Sequence, residues 1–129
     1  MAAGKYNLLI EQGATYQVEI QYKDSNGVAV DLTGYSGKLQ IRPSIGSPTA
    51  YICLSSSLQP DGTGLNFSGS YGTTPPTSGS IGIYISAISS SLLTFDTGVY
   101  DLEISSGSFT TRLLQGNVQL SKEVTIATC

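Results

Sequence analysis

GVYDLEISSGSFTTRLLQGNVQLSKEVT, residues 98–125, has the form of a β-hairpin. Tyr100, Leu102 and Ile104 alternate with Val99, Asp101 and Glu103, the period of two that marks a strand with one face buried. A turn is expected at Ser105-Ser106-Gly107-Ser108. It would set Ile104 opposite Phe109, Leu102 opposite Thr111, Tyr100 opposite Leu113 and Asp101 opposite Arg112. That register gathers the apolar residues on one face and leaves an opposite-charge pair on the other, where such a pair contributes about 0.2–1 kcal/mol. A slip by one residue would turn every side chain over. After Leu113 the parity changes, because Leu114, Val118 and Leu120 share a face. A β-bulge near residues 114–116 is the economical explanation.

Outward from the hairpin, the same alternation recurs. Residues 5–10 are expected to form a first strand after a frayed start. Over residues 15–22, Tyr16, Val18, Ile20 and Tyr22 alternate with Gln17, Glu19 and Gln21. Asp24-Ser25-Asn26-Gly27 is a turn, since Asn and Gly tolerate positive φ and Asp bonds the backbone ahead of it. A short return strand follows at residues 28–30, then a corner at 31–35 that buries Leu32 and Tyr35. Residues 38–42 form a strand with Leu39 and Ile41 inward, closed by Pro43, which has no N–H for a ladder. One more strand is expected over 50–54. Residues 55–80 are dominated by Ser, Gly, Thr, Pro and Asp and read as a loop or arm, with a short strand near 65–68 and its most exposed part at 70–80. This segment is either an insertion without order of its own or one that orders against a neighbouring subunit. Residues 82–85 resume the sheet, with Ile81, Ile83 and Ile85 on one face. Ser86 then caps a single helical turn carrying Ile88, Leu92 and Leu93. Seven to nine strands with turns every eight to twelve residues predict one all-β domain over residues 1–129. Its expected form is an antiparallel immunoglobulin-like β-sandwich with one short helical turn.

Composition narrows the chemistry. The 129 residues carry a net charge of −3, and the six basic residues are scattered, which argues against nucleic-acid or anionic-membrane partners. Ser and Thr make up about a quarter of the chain, a composition suited to polar-faced strands and hydrated loops. Leu8-Leu9-Ile10 is too short for a signal-peptide core or a membrane span, so a soluble, cytosolically made protein is expected. The chain has no histidine, which removes the serine–histidine and cysteine–histidine pairings and the usual zinc sets. Asp101 and Glu103 share a strand face, but a solvated face with Asp101 paired to Arg112 explains them better than acid–base catalysis. Asp24-Ser25-Asn26-Gly27 lacks the later glutamate of a calcium loop. No catalytic residue, cofactor or metal site is therefore expected.

Two cysteines and the tyrosines are the remaining candidates. Cys53, inside Tyr51-Ile52-Cys53-Leu54, reads as a small buried hydrophobe, and Cys129 as an exposed thiol. A bridge between Cys53 and Cys129 stays open, as does an intermolecular bridge through Cys129. Tyr84 points opposite to Ile83 and Ile85, and Tyr71 lies in the long loop. Both are interface candidates, because tyrosine couples an apolar face to a hydroxyl; packing beneath the domain's own loops is the alternative.

These segments resemble those of one family. Gly98-Val99-Tyr100-Asp101-Leu102-Glu103, Arg112-Leu113-Leu114-Gln115-Gly116 and Ser121-Lys122-Glu123-Val124-Thr125 resemble the C-terminal half of a family of small tailed-bacteriophage proteins. Tyr6-Asn7-Leu8, Glu11 to Thr15, Lys23 to Gly27 and Asp31 to Tyr35 recur in the same order. Lys122 departs from the family's usual proline, and the chain runs on past Thr125 to Cys129. The pattern is also similar to the immunoglobulin-like N-terminal domains of siphophage upper baseplate proteins. The resemblance implies a non-enzymatic virion structural protein, made in the host bacterial cytoplasm. Its expected place is the tail, as an adaptor for baseplate assembly or tail-fibre attachment. Expected partners are other virion proteins and further copies of itself. A capsid decoration (cement) protein, with residues 55–80 as a reaching arm, is the alternative. A host-glycan-binding module ranks below both, because the chain has no tryptophan.

Overall fold

Runs of alternating apolar and polar residues pair into two facing sheets. The computed structural model describes residues 4–24, 26–67 and 79–122. Its strands are β1 (Gly4–Lys5), β2 (Leu8–Glu11), β3 (Tyr16–Gln21), β4 (Ser36–Arg42), β5 (Ile52–Ser55), β6 (Gly64–Asn66), β7 (Ser80–Ile85), β8 (Thr97–Ser106) and β9 (Phe109–Ser121). A helix, α1 (Ala87–Ser91), connects β7 to β8. The large sheet runs β1–β9–β8–β4–β5, with β2 also on β9, and the small sheet runs β3–β7–β6. This is an all-β sandwich of immunoglobulin-like type, with β5 extending the β9–β8–β4 sheet as in variable-type domains. The pairings are antiparallel as expected, except that β1 and β2 run parallel to β9.

Alternation decides what the sandwich encloses. Leu39 and Ile41 of β4, Tyr100, Leu102 and Ile104 of β8, and Val118 and Leu120 of β9 point inward from the large sheet. Ile81, Ile83 and Ile85 of β7 and Leu65 of β6 meet them from the small sheet, and Leu8 and Ile10 of β2 complete the layer. Truncating one such side chain to Ala typically costs about 2–5 kcal/mol. Leu32 is fully buried at the corner after the first hairpin, with Tyr35 half-buried beside the core.

The β8–β9 hairpin forms with a tighter turn than expected. Ser106 pairs with Phe109 around a two-residue Gly107-Ser108 loop, and Gly107 has φ +61°, as the first central position of a type II′ turn requires. Ile104 therefore faces Thr111, Glu103 faces Arg112 and Leu102 faces Leu114. The parity switch is real but lies earlier than residues 114–116. Between the Glu103–Arg112 and Leu102–Leu114 pairs, Leu113 is the extra residue of a bulge.

Three other expectations shift locally. The first strand is broken at Tyr6-Asn7 into β1 and β2, because Tyr6 and Asn7 turn their polar groups onto β9 and its neighbour. The return strand at 28–30 shrinks to a single bridge between Lys23 and Ala29, since Asp24 Oδ1 takes up the amides of Asn26 and Val28 and holds the chain in a turn. The strand expected at 65–68 begins one residue earlier and ends at Asn66. Most of the 70–80 segment lies outside the described residues.

Candidate functional site

The side chains that alternation turns away from the core of the large sheet form ordered rows. Lys38, Glu103 and Arg112 make one row across β4, β8 and β9. Gln40, Asp101, Gln115 and Lys5 make the next, and Arg42, Val99 and Asn117 the third. Read along the strands, cations lie on β4, carboxylates on β8, and cations again on β9 and β1. Arg112 Nε is 3.4 Å from Asp101 Oδ2, so the expected ion pair forms as a diagonal contact although the register has moved. Arg42 is anchored by bonds to Gln40 Oε1, at 2.7 Å from Nη2, and to the Ser47 carbonyl, at 2.6 Å from Nη1.

This face carries four of the six basic residues and, counting Glu11 at its far end, three of the nine acidic ones. Four cations against three carboxylates leave this face with a formal charge of +1 in a protein of net charge −3. A groove of about 540 Å³ lies over the rows, bordered by Ser44-Ile45-Gly46 on one side and Lys5 and Asn7 on the other. A second hollow of about 580 Å³ continues from it, sharing Asn7, Val99 and Asn117 and adding Leu9, Pro43 and Thr97. Ile45 is 92% exposed and Leu9 55% exposed. Amides, alternating charges and a few protruding apolar groups suit recognition of another surface. Asp101 and Glu103 stand in this row pattern beside cations, with Asp101 paired to Arg112.

The sequence-nominated residues distribute unevenly. Tyr84 is half-buried on the outer face of the small sheet, opposite Gly64, and a Cβ at Gly62 would meet its ring at 3.4 Å. Its ring thus packs beneath the 59–63 loop. Tyr71 and Cys129 lie outside the described residues, and with Cys129 so does the Cys53–Cys129 bridge. Cys53 is a correction: it is exposed, not buried. Ile52 and Leu54 claim the inward positions of β5, so alternation turns Cys53 outward, opposite Gln40, whose Nε2 is 3.6 Å from Sγ.

One constellation was not anticipated. Asp61 Oδ2 accepts bonds from the hydroxyls of Ser86 at 2.6 Å and Ser89 at 2.9 Å, while its Oδ1 accepts from the Thr63 amide at 3.0 Å. The Ser86 hydroxyl, then the Thr63 amide, hold this carboxyl far below the ordinary carboxylate range. Ser86 meanwhile caps α1 by accepting from the Ser89 amide. Asp61 therefore clasps the loop after β5 to the helix cap. The Asp61-Gly62 pair signals a turn in sequence, but nothing in it points to serines 25 and 28 residues away.

No family model matches the chain, and no curated protein matches it. Among solved structures it is similar to the extracellular domain of the voltage-gated sodium channel β4 subunit, described as a parallel homodimer with a role in cell–cell adhesion. The identity is 11% over 96% of this chain and 97% of that one, with a TM-score of 0.45. It is also similar to a structure from work on multimeric cell-adhesive interactions of such β subunits. There the identity is 15%, over 95% of this chain and 96% of that one, with a TM-score of 0.47. At these values the likeness says nothing of what this chain binds.

Proposed function

We propose that this chain is a non-enzymatic structural protein of a tailed-phage virion, acting as an adaptor at the baseplate or tail-fibre attachment point. The observation that carries the reading is where the phage-like segments fall. Gly98 to Glu103 and Arg112 to Gly116 lie side by side on β8 and β9 and supply much of the floor of the groove on the large sheet. A structural protein repeated in a symmetric particle needs such a surface, and multiplicity makes individually weak contacts sufficient. Partners would be other virion proteins and further copies of the chain.

Copy number per particle tests this, by quantitative mass spectrometry against the major capsid and tail-tube proteins. An adaptor is expected on the order of ten copies, following the low-order symmetry of a tail. A count on the order of hundreds would identify a capsid decoration protein instead, as expected for a subunit repeated over a shell. Absence from purified particles would overturn the virion reading.

A further inference from the structure

We propose that the outer face of the large sheet is a contact between two copies of this chain, related by a two-fold axis parallel to the strands and lying between β4 and β8. This rests on the structural role proposed above and names one partner of that surface. An isologous interface needs a patch that complements itself, and two independent features of this face satisfy the same rotation.

The first is charge. Turning one copy about this axis lays its β8 over the other copy's β4 and keeps each residue at its own height along the strands. Glu103 and Lys38 share a register row. Each Glu103 would therefore face the second copy's Lys38, and the contact occurs twice. Among the described residues neither is engaged in an ion pair of its own chain, the two such pairs being Arg112–Asp101 and Lys122–Asp96. Alternating stripes also disfavour a uniform polyanion, which would meet the Asp101 and Glu103 carboxylates along with the cations.

The second is shape. Ile45 protrudes from the loop after β4. The rotation carries it across to the beginning of β8, above the hollow lined by Leu9, Thr97, Gly98 and Val99. Knob and hollow thus lie on opposite sides of the axis, as reciprocal insertion requires. The rotation lays β4 over β8 and β5 over β9, and four strand positions about 4.8 Å apart with seven residues of about 3.4 Å give about 460 Å² per copy, or about 900 Å² in total. That is the size of a weak, transient contact, so a reversible dimer sensitive to salt is expected.

Sedimentation velocity of the full chain, over a concentration series through the micromolar range, tests the proposal. The wild type is expected to shift from monomer to dimer. Lys38→Glu and Glu103→Lys should each weaken association about tenfold or more, through like-charge contacts. Melting temperatures close to wild type would show that both variants fold. An equimolar mixture of the two variants should dimerise again, because both contacts are then between opposite charges. Ile45→Asp should weaken the dimer at low and high salt alike. A wild type that stays monomeric throughout, a dimer unaffected by either charge reversal, or a mixture that fails to recover would each overturn the interface. None of these results would alter the copy number in virions, so the two readings fail separately.

Discussion

The phenol of Tyr100, on β8, donates a 2.5 Å hydrogen bond to the backbone carbonyl of Tyr6, 94 residues earlier in the chain. Tyr6 sits where β1 gives way to β2, and its own amide donates to the Gln115 carbonyl on β9. One buried side chain therefore fastens the bend of the N-terminal strand to the middle of the large sheet. Burial pushes the Tyr100 phenol well above its ordinary pKa, with Tyr16 and Tyr6 adding to the effect. Burial, then Tyr6, pushes Tyr16 up to about 12.

Both shifts raise the folded-state pKa above the unfolded value, so the unfolded chain loses its phenolic protons first. Their contribution to stability is fully present below about pH 10 and falls as pH rises beyond it. Thermal melts should be insensitive to these groups up to that pH and shift down steeply above it. Tyr100→Phe keeps the ring and removes the bond, for an expected loss of about 1 kcal/mol at pH 7. The variant should also decline less steeply with alkali than the wild type. Equal slopes for the two proteins would remove Tyr100 as a source of the effect.

Gly116 lies where the N-terminal strand comes closest to β9. A Cβ there would run into the Tyr6 carbonyl and stand 3.0 Å from Asn7 Oδ1. Gly116→Val should displace β1 and β2 and partly expose Leu8 and Ile10. The expected loss is about 2–5 kcal/mol, the range of one large core truncation. Hydrogen exchange should quicken first at the β2 amides.

Asp61→Ala should release the loop after β5 from α1 while the sheets stay paired. Amides of α1 and of residues 59–63 are expected to lose protection, with little change in β8 and β9. Because the Asp61 pKa is lowered on folding, the clasp is fully present above about pH 4 and is lost only as pH falls through the depressed value. The wild type should therefore keep α1 protected under acid conditions in which the variant never has it.

Cys53 should behave as a surface thiol. In a Cys129→Ser background, one equivalent of a maleimide should react with the native protein without denaturant. Cys53→Ser should change stability by no more than about 0.5 kcal/mol. Labelling that needs denaturant would contradict the exposed position.

Short-range pattern carried most of the fold into view. Tyr100, Leu102 and Ile104 are buried because their alternation admits no other face, and Asp101 still meets Arg112 because a diagonal neighbour lies within reach of a long side chain. The bulge was legible as a parity change but not as a position, since one extra residue anywhere from Thr111 to Leu114 gives the same alternation downstream. Cys53 was misplaced because the apolar run Ile52-Cys53-Leu54 hides which residues face inward, and β5's pairing with β4 decides it. The parallel partner of β2 lies about a hundred residues away, and the Asp61 clasp joins two loops. Neither leaves a local mark. On the candidate face, the individual charges were visible, but their stripes needed the order of β4, β8, β9 and β1.

That parallel partnership has a mechanical consequence. β1 and β2 run in the same direction as β9, through the register pairs Gly4–Leu114 and Lys5–Gln115 and then Leu8–Val118 to Glu11–Ser121. The chain therefore enters this ladder before Gly4 at one end and leaves it after Ser121 at the other. Tension applied at those two points pulls the strands past each other lengthwise, so the ladder bonds share the load and must yield together. An antiparallel edge pulled from adjacent ends would open one bond at a time. The ladder is thus arranged to resist stretch applied between Gly4 and Ser121.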